Sequence, residues 1–336
     1  MNHPLVSILM AAKDTDSYLP ECLDSILAQT YEHWELIIGN DHSTDQTPQI
    51  LKKYVAKDSR ISTFDSQRHQ VIPTLKEAYT HAKGTLIHRM DSDDKMPSNK
   101  LGLLVSAWKK KGQGHLLSGK VKYFVAEGEV GDGFLRYERW LNEVAKNNTY
   151  YQNIYQECVL PSNGWIIHKD DFDRVDAFNP EVYPEDYDLC FRCYKARLKI
   201  IGINEVVHLW RDRPDRISRT LEVYKDNRFF DLKLHYFYSL DRDFTRPLIV
   251  WGVGKNGKKL AKLLLKKEPT FHWVCNNERK IGKDIYGIII TSCETIPQLN
   301  NPQILIVVAS PNYKIAIETG LKIWKKKPID DYWFFL

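Results

Sequence analysis

Long hydrophobic runs, a dominant charge of one sign and a dense set of cysteines are all missing from this sequence. No apolar stretch reaches the roughly 18 residues that a membrane-spanning helix needs. The 48 basic and 43 acidic side chains leave a formal charge of only +5, too small a field to argue for nucleic acid as partner. Six cysteines in 336 residues do not make a disulfide framework and read as reduced thiols of a cytosolic protein. Cys190 and Cys193 form a CxxC with no second pair, so neither zinc nor redox use is expected of them. The first ten residues lack a basic leader and a small-residue cleavage site, and no secretion signal is expected.

What is present has an ordinary globular balance, 43% hydrophobic and 27% charged, with 12% aromatics to fill cores or line clefts. The length suits two or three packed units. Charge is unevenly placed: from Arg246 onward 15 basic side chains face 7 acidic ones, so the front is net acidic and the tail basic.

Strand and helix signals alternate from the start. Residues 5–10 form a short apolar run fit for a buried parallel strand, and 18–29 space their apolar side chains for a helix. A second strand is expected at 34–38, helices at 44–56 and 74–82, and a third strand at 85–90. Helices are also expected at 136–145, 170–175 and 185–196. After Pro247 come strands at 248–251, 271–275, 303–309 and 332–336, with helices at 254–267 and 313–325. The fold class expected is α/β: a doubly wound, mostly parallel sheet followed by a second small α/β domain. Boundaries are placed at 1–245 for the first domain, divided near residue 120 into two halves, and 246–336 for the second.

Ligands of such sheets bind beyond the carboxyl ends of the strands, where the strand order reverses. Aspartates fall at those ends: Asp14 after the first expected strand, Asp41 after the second, Asp91 and Asp93 after the third. Aspartate also caps helices and tolerates turns. Its presence at three strand ends exceeds what capping needs. Asp91-x-Asp93 suits Mn²⁺ or Mg²⁺ shared with a diphosphate, since hard cations take carboxylate and phosphate oxygens. Asp41 is placed to accept from a pyrimidine ring N–H.

The segments Pro4–Met10, Asn40-Asp41-His42-Ser43-Thr44-Asp45, Lys83-Gly84 and Asp91-Ser92-Asp93-Asp94 resemble the family 2 glycosyltransferases of the GT-A fold. The likeness covers about the first hundred residues and returns at Tyr183-Pro184-Glu185-Asp186-Tyr187-Asp188-Leu189. It implies an inverting, metal-dependent transferase using a nucleotide-sugar donor, expected to be a UDP-sugar, and a glycan or lipid-linked acceptor. Surface-polysaccharide or lipopolysaccharide assembly is the family's usual setting. The resemblance further implies Ala12, Asp14, Asp41, Asp91 and Ser92 at the nucleotide-sugar and Asp93 with Asp91 at the cation. On the acceptor side it implies Asp186 as general base, with Glu185, Trp165 and Arg211 beside it. A carboxylate in a helix's first turn suits that base role, since the helix dipole favours its ionised form. The expected location is cytoplasmic, with peripheral contact at the inner face of the membrane.

The sequence departs from the family at several points. Ala11-Ala12-Lys13-Asp14 stands where Pro-x-Tyr-Asn is usual, and Arg68 or Lys76 is left to supply a phosphate-facing charge. In the stretch from Trp210 to Ser218, Arg213 stands where a metal-binding His is common, with His208 as the substitute. In the tail, Gly252-x-Gly254-x-x-Gly257 follows a strand and opens a helix, the context of a dinucleotide fingerprint. The acid that would hold a ribose is absent after Cys275. An anion loop without hydride chemistry is expected, with Gly254 needed for stability. Two other readings stay open: a degenerate transferase serving as a nucleotide-binding or regulatory module, and an NAD-dependent oxidoreductase built on the tail.

Overall fold

The apolar run after Pro4 becomes β1 (Val6–Ala12), an inner strand of a seven-stranded sheet, in a computed structural model that describes residues 3–213 and 228–336. The chain divides into two units. One runs to Tyr150 and resumes at Val159; the other joins Tyr151–Cys158 to the C-terminal part ending at Leu336. The short segment 151–158 thus packs with the tail, a division different from one cut near residue 245.

In the first unit the sheet order is β3-β2-β1-β4-β6-β5-β7. Its strands are β2 (Trp34–Asn40), β3 (Ile61–Asp65), β4 (Leu86–Arg89), β5 (His115–Phe124), β6 (Trp165–His168) and β7 (Lys199–Arg211). β1 pairs in parallel with β2 on one side and β4 on the other. The chain therefore steps outward to β3 and returns across β1, and the switch point lies beyond the carboxyl ends of β1 and β4. β6 runs antiparallel to both β4 and β5, while β5 and β7 pair in parallel with a register shift at Gly119/Lys120. The mostly parallel, doubly wound sheet is as expected.

Helices α1 (Leu19–Leu27), α2 (Thr47–Lys57), α3 (Val71–Thr80) and α4 (Lys100–Lys111) link the first five strands. Prolines 20 and 48 sit in the first turns of α1 and α2, where their missing N–H costs nothing. Leu23, Ile26, Leu51 and Leu104 of these helices close one core with Ile8, Met10 and Ile38 of the sheet. Next come α5 (Asp132–Asn147), which ends on the left-handed Asn148, then α6 (Lys169–Arg174) and α7 (Glu185–Lys195).

The strand that leads into Asp91 is the fourth, not the third. β3 escapes sequence reading because only Ile61 of its five residues is buried, as befits an edge strand. The long β5 and β7 were not expected at all; each carries polar or charged residues among its apolar ones.

The second unit contains α8 (Phe230–Tyr236), α9 (Lys255–Leu264), α10 (Pro311–Ile323) and a five-stranded sheet. Its main strands are β8 (Leu248–Trp251), β9 (His272–Cys275), β13 (Gln303–Ile306) and β14 (Tyr332–Phe334), with a small hairpin of β10 (Asp284–Ile285) and β11 (Ile288–Ile289) and the short β12 (Thr291–Ser292). The order β12-β9-β8-β13-β14 is parallel throughout. All six lysines between 255 and 267 are exposed.

In the glycine loop, Gly252 has φ +131°, and a Cβ there would meet the Val307 carbonyl oxygen at 2.6 Å. A Cβ on Gly257 would stand 2.0 Å from the Gly252 carbonyl oxygen. A Cβ on Gly254 would meet nothing within 4 Å among the described residues, which corrects the expectation that this glycine is needed for stability. Close backbone packing selects the outer two glycines; the middle one is unconstrained.

Candidate active site

The aspartates expected at strand ends gather at the switch point, but with unequal tasks. Asp14, with φ +46°, accepts the Thr44 N–H at 2.7 Å and lies exposed. It pins the loop after β1 to the loop after β2. Ala12 does related work: its carbonyl accepts the Asp41 N–H at 2.8 Å, and its side chain is buried. Asp41 is buried, with Oδ2 accepting the Gln70 N–H at 3.0 Å. Among the described residues its Oδ1 is buried with no hydrogen-bond partner, which is costly for a carboxylate oxygen.

Beyond β4, Asp91 is clamped. Arg89 Nε donates to its Oδ1 at 3.1 Å and Asn163 Nδ2 to its Oδ2 at 2.8 Å. Burial alone would raise its pKa; Arg89 and Asn163 outweigh that and hold it below the ordinary carboxylate value. Ser92 is buried in the same loop. Asp93 is different. Burial, with Asp94 and Asp91 close by, pushes its pKa up to about 6, against the pull of Arg213, whose Nε donates to Oδ2 at 2.9 Å. A half-buried carboxylate crowded by two others and met by a cationic side chain is a place where a divalent cation fits.

Asp94 anchors the loop from below. It accepts the Arg211 N–H at 2.8 Å and Asn163 Nδ2 at 2.9 Å, and its Oδ2 stands 3.0 Å from His208 Nε2. Lys100 Nζ, fully buried, donates to the Asn163 carbonyl at 2.6 Å and lies 3.5 Å from His208 Nδ1. His208 is thus occupied with Asp94, which removes it as the substitute cation ligand. Arg211 also differs from expectation. Its Nε donates to the Asp93 carbonyl at 2.6 Å, its Nη2 pairs with Glu21, and its guanidinium lies 4.5 Å from the centre of the Phe124 ring. It braces the Asp93 loop from the β7 side. The rest of the expected Trp210–Ser218 segment, from residue 214, lies outside the described residues.

The second carboxylate pair opens α7. Glu185 and Asp186 occupy its first turn after Pro184. Glu185 Oε1 accepts from Arg89 Nη1 at 3.2 Å. Asp186 accepts the Tyr187 N–H at 2.8 Å. Burial, then the neighbouring Glu185 charge, raises its pKa, with Arg89 opposing. Asp188, two residues on, is fully buried and bonded to Arg192 at 2.7 Å and to the N–H groups of Glu181 and Val182. It is a structural acid. Trp165, Leu160, Ile72 and Phe178 line one cavity together with Glu185 and Asp186, which puts Trp165 beside the expected base.

Lys76 turns away to Asn179, and Arg68 lies exposed. Arg89 and Asn163 were not among the residues singled out from sequence. The one available signal was the strand period of two, which puts Arg89 and Asp91 on the same side.

Residues 7–173 match the family described as Glycosyl transferase family 2. The chain is a glycosyltransferase. That match covers just under half of the chain's length. Glycosyltransferase GlyG of Streptococcus pneumoniae serotype 4 is 25% identical over 222 residues, which span 64% of this chain and 73% of GlyG. Several other curated relatives are matched over only about a third of their length. Among solved structures, S. aureus TarS 1–349 in complex with UDP-GlcNAc superposes with a TM-score of 0.54 at 18% identity, covering 87% of this chain and 78% of that one. Mannosyltransferase PcManGT from Pyrobaculum calidifontis, in complex with GDP-Man and Mn²⁺, gives 0.53 at 17% identity, covering 80% and 71%. At these identities the two structures share the fold with this glycosyltransferase, whose large sheet is that of GT-A enzymes. Among its described residues no helix is long and apolar enough to cross a membrane.

Proposed function

We propose that this glycosyltransferase moves a sugar from a UDP-sugar to a hydroxyl of a glycan or lipid-linked acceptor, with inversion and with help from Mn²⁺ or Mg²⁺. The observation that carries the reading is the Arg89 bridge, which ties the Asp91–Asp93 loop to the Glu185–Asp186 helix start. It makes a donor-side and an acceptor-side carboxylate group into one site.

In this reading Asp41 Oδ1 accepts the uracil ring N–H and so acquires the partner it lacks. Asp93 and Asp91 hold the cation, which when bound neutralises charge on the departing diphosphate. Asp186 takes the proton of the acceptor hydroxyl as that oxygen attacks the anomeric carbon. Its raised pKa makes it a stronger base than an exposed aspartate, and Arg89 limits the rise so that the ionised form stays accessible. Glu185, held by Arg89, orients the acceptor, and Trp165 supplies an apolar wall. TarS and PcManGT, each solved with a nucleotide-sugar, support a donor of this class. The tail is read as a Rossmann-like appendage without hydride chemistry, and its lysine-lined α9 as a contact for the inner face of the membrane in surface-polysaccharide assembly.

The test is a thermal-shift panel of UDP-, GDP- and dTDP-sugars with Mn²⁺ and with EDTA. Stabilisation by UDP-sugars alone, and only with the cation, is the expected result. An equal shift in EDTA would remove the cation assignment. No shift with any nucleotide would remove the transferase reading of this site.

A further inference from the structure

A second set of ligand atoms converges at a different pair of chain segments. Asp41 and His42 follow β2, and His69 lies between β3 and α3. One carboxylate oxygen of Asp41 and one ring nitrogen of each histidine all lie within 4.8 Å of one another. The two imidazoles are stacked, with centroids 4.0 Å apart and planes 27° from parallel. His69 Nδ1 stands 3.9 Å from Asp41 Oδ1, too far for a hydrogen bond. That oxygen is buried and has no hydrogen-bond partner among the described residues, on a residue only 1% exposed. Two stacked rings facing an orphaned carboxylate oxygen leave that oxygen's demand unmet, and a cation among them would meet it.

We propose that Asp41, His42 and His69 form a binding site for a late first-row divalent cation, Zn²⁺ foremost, separate from the cation at Asp93. Two imidazoles and one carboxylate suit Zn²⁺, whereas Mg²⁺ and Mn²⁺ favour oxygen donors such as Asp91 and Asp93. Ligand atoms on a tetrahedral zinc stand about 3.3 Å apart, so a small rotation of the exposed imidazoles closes the site. Three protein ligands leave one position for water. The cation takes the same Oδ1 that the donor's uracil would take, so zinc and uridine exclude each other. That last clause alone rests on the reading of Asp41 given above.

The experiment is calorimetric titration of the full chain with ZnCl₂, beside the variants His42→Gln, His69→Gln and Asp93→Asn, with Co²⁺ absorption to report coordination. One Zn²⁺ per chain is expected at micromolar concentration, with affinity falling roughly tenfold or more in each histidine variant and holding in Asp93→Asn. Histidine variants that bind like the parent, or a loss in Asp93→Asn equal to theirs, would overturn the proposal. So would a parent chain that shows no saturable binding below millimolar. Repeating the titration in excess uridine, which has no phosphate to chelate zinc, separates the two readings. Weaker zinc binding supports both. Unchanged binding leaves the zinc site standing and removes the base contact of Asp41.

Discussion

Arg89 holds Asp91 and Glu185 at once, giving Nε to the first at 3.1 Å and Nη1 to the second at 3.2 Å, across 96 residues of chain from Glu185. Its guanidinium is buried and its pKa is raised: burial works against the charge, and the carboxylates of Asp91, Glu185 and Asp186 overcome it. One planar fork therefore sets the spacing of two carboxylate groups.

Arg89→Met should lower unfolding free energy by about 2 kcal/mol, since two partly buried carboxylates lose their counter-charge. Arg89→Lys should recover less than half of the loss, because a point charge cannot reach both partners with fixed geometry. Urea denaturation checks both; a methionine variant as stable as the parent would show the bridge to be idle.

Asp186→Asn should leave UDP binding intact and cut turnover by roughly 10²–10⁴. The acid limb of the kcat/KM profile should lie above the ordinary carboxylate range, because burial and Glu185 raise this group. Protonation removes the base, so the rate climbs with pH through that limb. Asp188→Asn should instead unfold the protein more readily, since it breaks a buried pair with Arg192. Turnover of the Asp186 variant near the parent value would move the base elsewhere.

Cation affinity should rise when Arg213 is shortened. Its Nε holds Asp93 Oδ2 at 2.9 Å, and an entering cation has to displace it. Arg213→Ala is expected to lower the Mn²⁺ concentration at half-maximal UDP stabilisation several-fold, whereas Asp93→Asn abolishes the Mn²⁺-dependent part. The readout is melting temperature against Mn²⁺ at fixed UDP. An unchanged midpoint in the Arg213 variant would show that the ion pair does not compete.

In the tail, Gly257→Ala should cost more than about 2 kcal/mol, because its methyl would overlap the Gly252 carbonyl. Gly254→Ala should stay within about 0.5 kcal/mol of the parent, with open space around it. Calorimetric melting of the full chain compares them. Neither is expected to change a response to NAD(H), since the acid that would hold a ribose is absent after Cys275.

The sequence by itself determined the α/β class, the placing of β8 to the residue and of β1 to within two residues, and the aspartates at the strand ends. These follow from short apolar runs and the turn residues after them, which are local properties of the chain. Only the tertiary structure decided what each of those acids does. Asp14 is a loop clamp, Asp94 an anchor and Asp188 a buried ion-pair partner, while Asp41, Asp93 and Asp186 keep the positions suited to a ligand. The same holds for Arg211, which lies under the Asp93 loop, 118 residues along the chain from it. A carboxylate's role depends on which donors reach it and how much water it keeps. Those donors come from β4, β7 and the turn before β6, brought together by sheet pairing that no local pattern encodes.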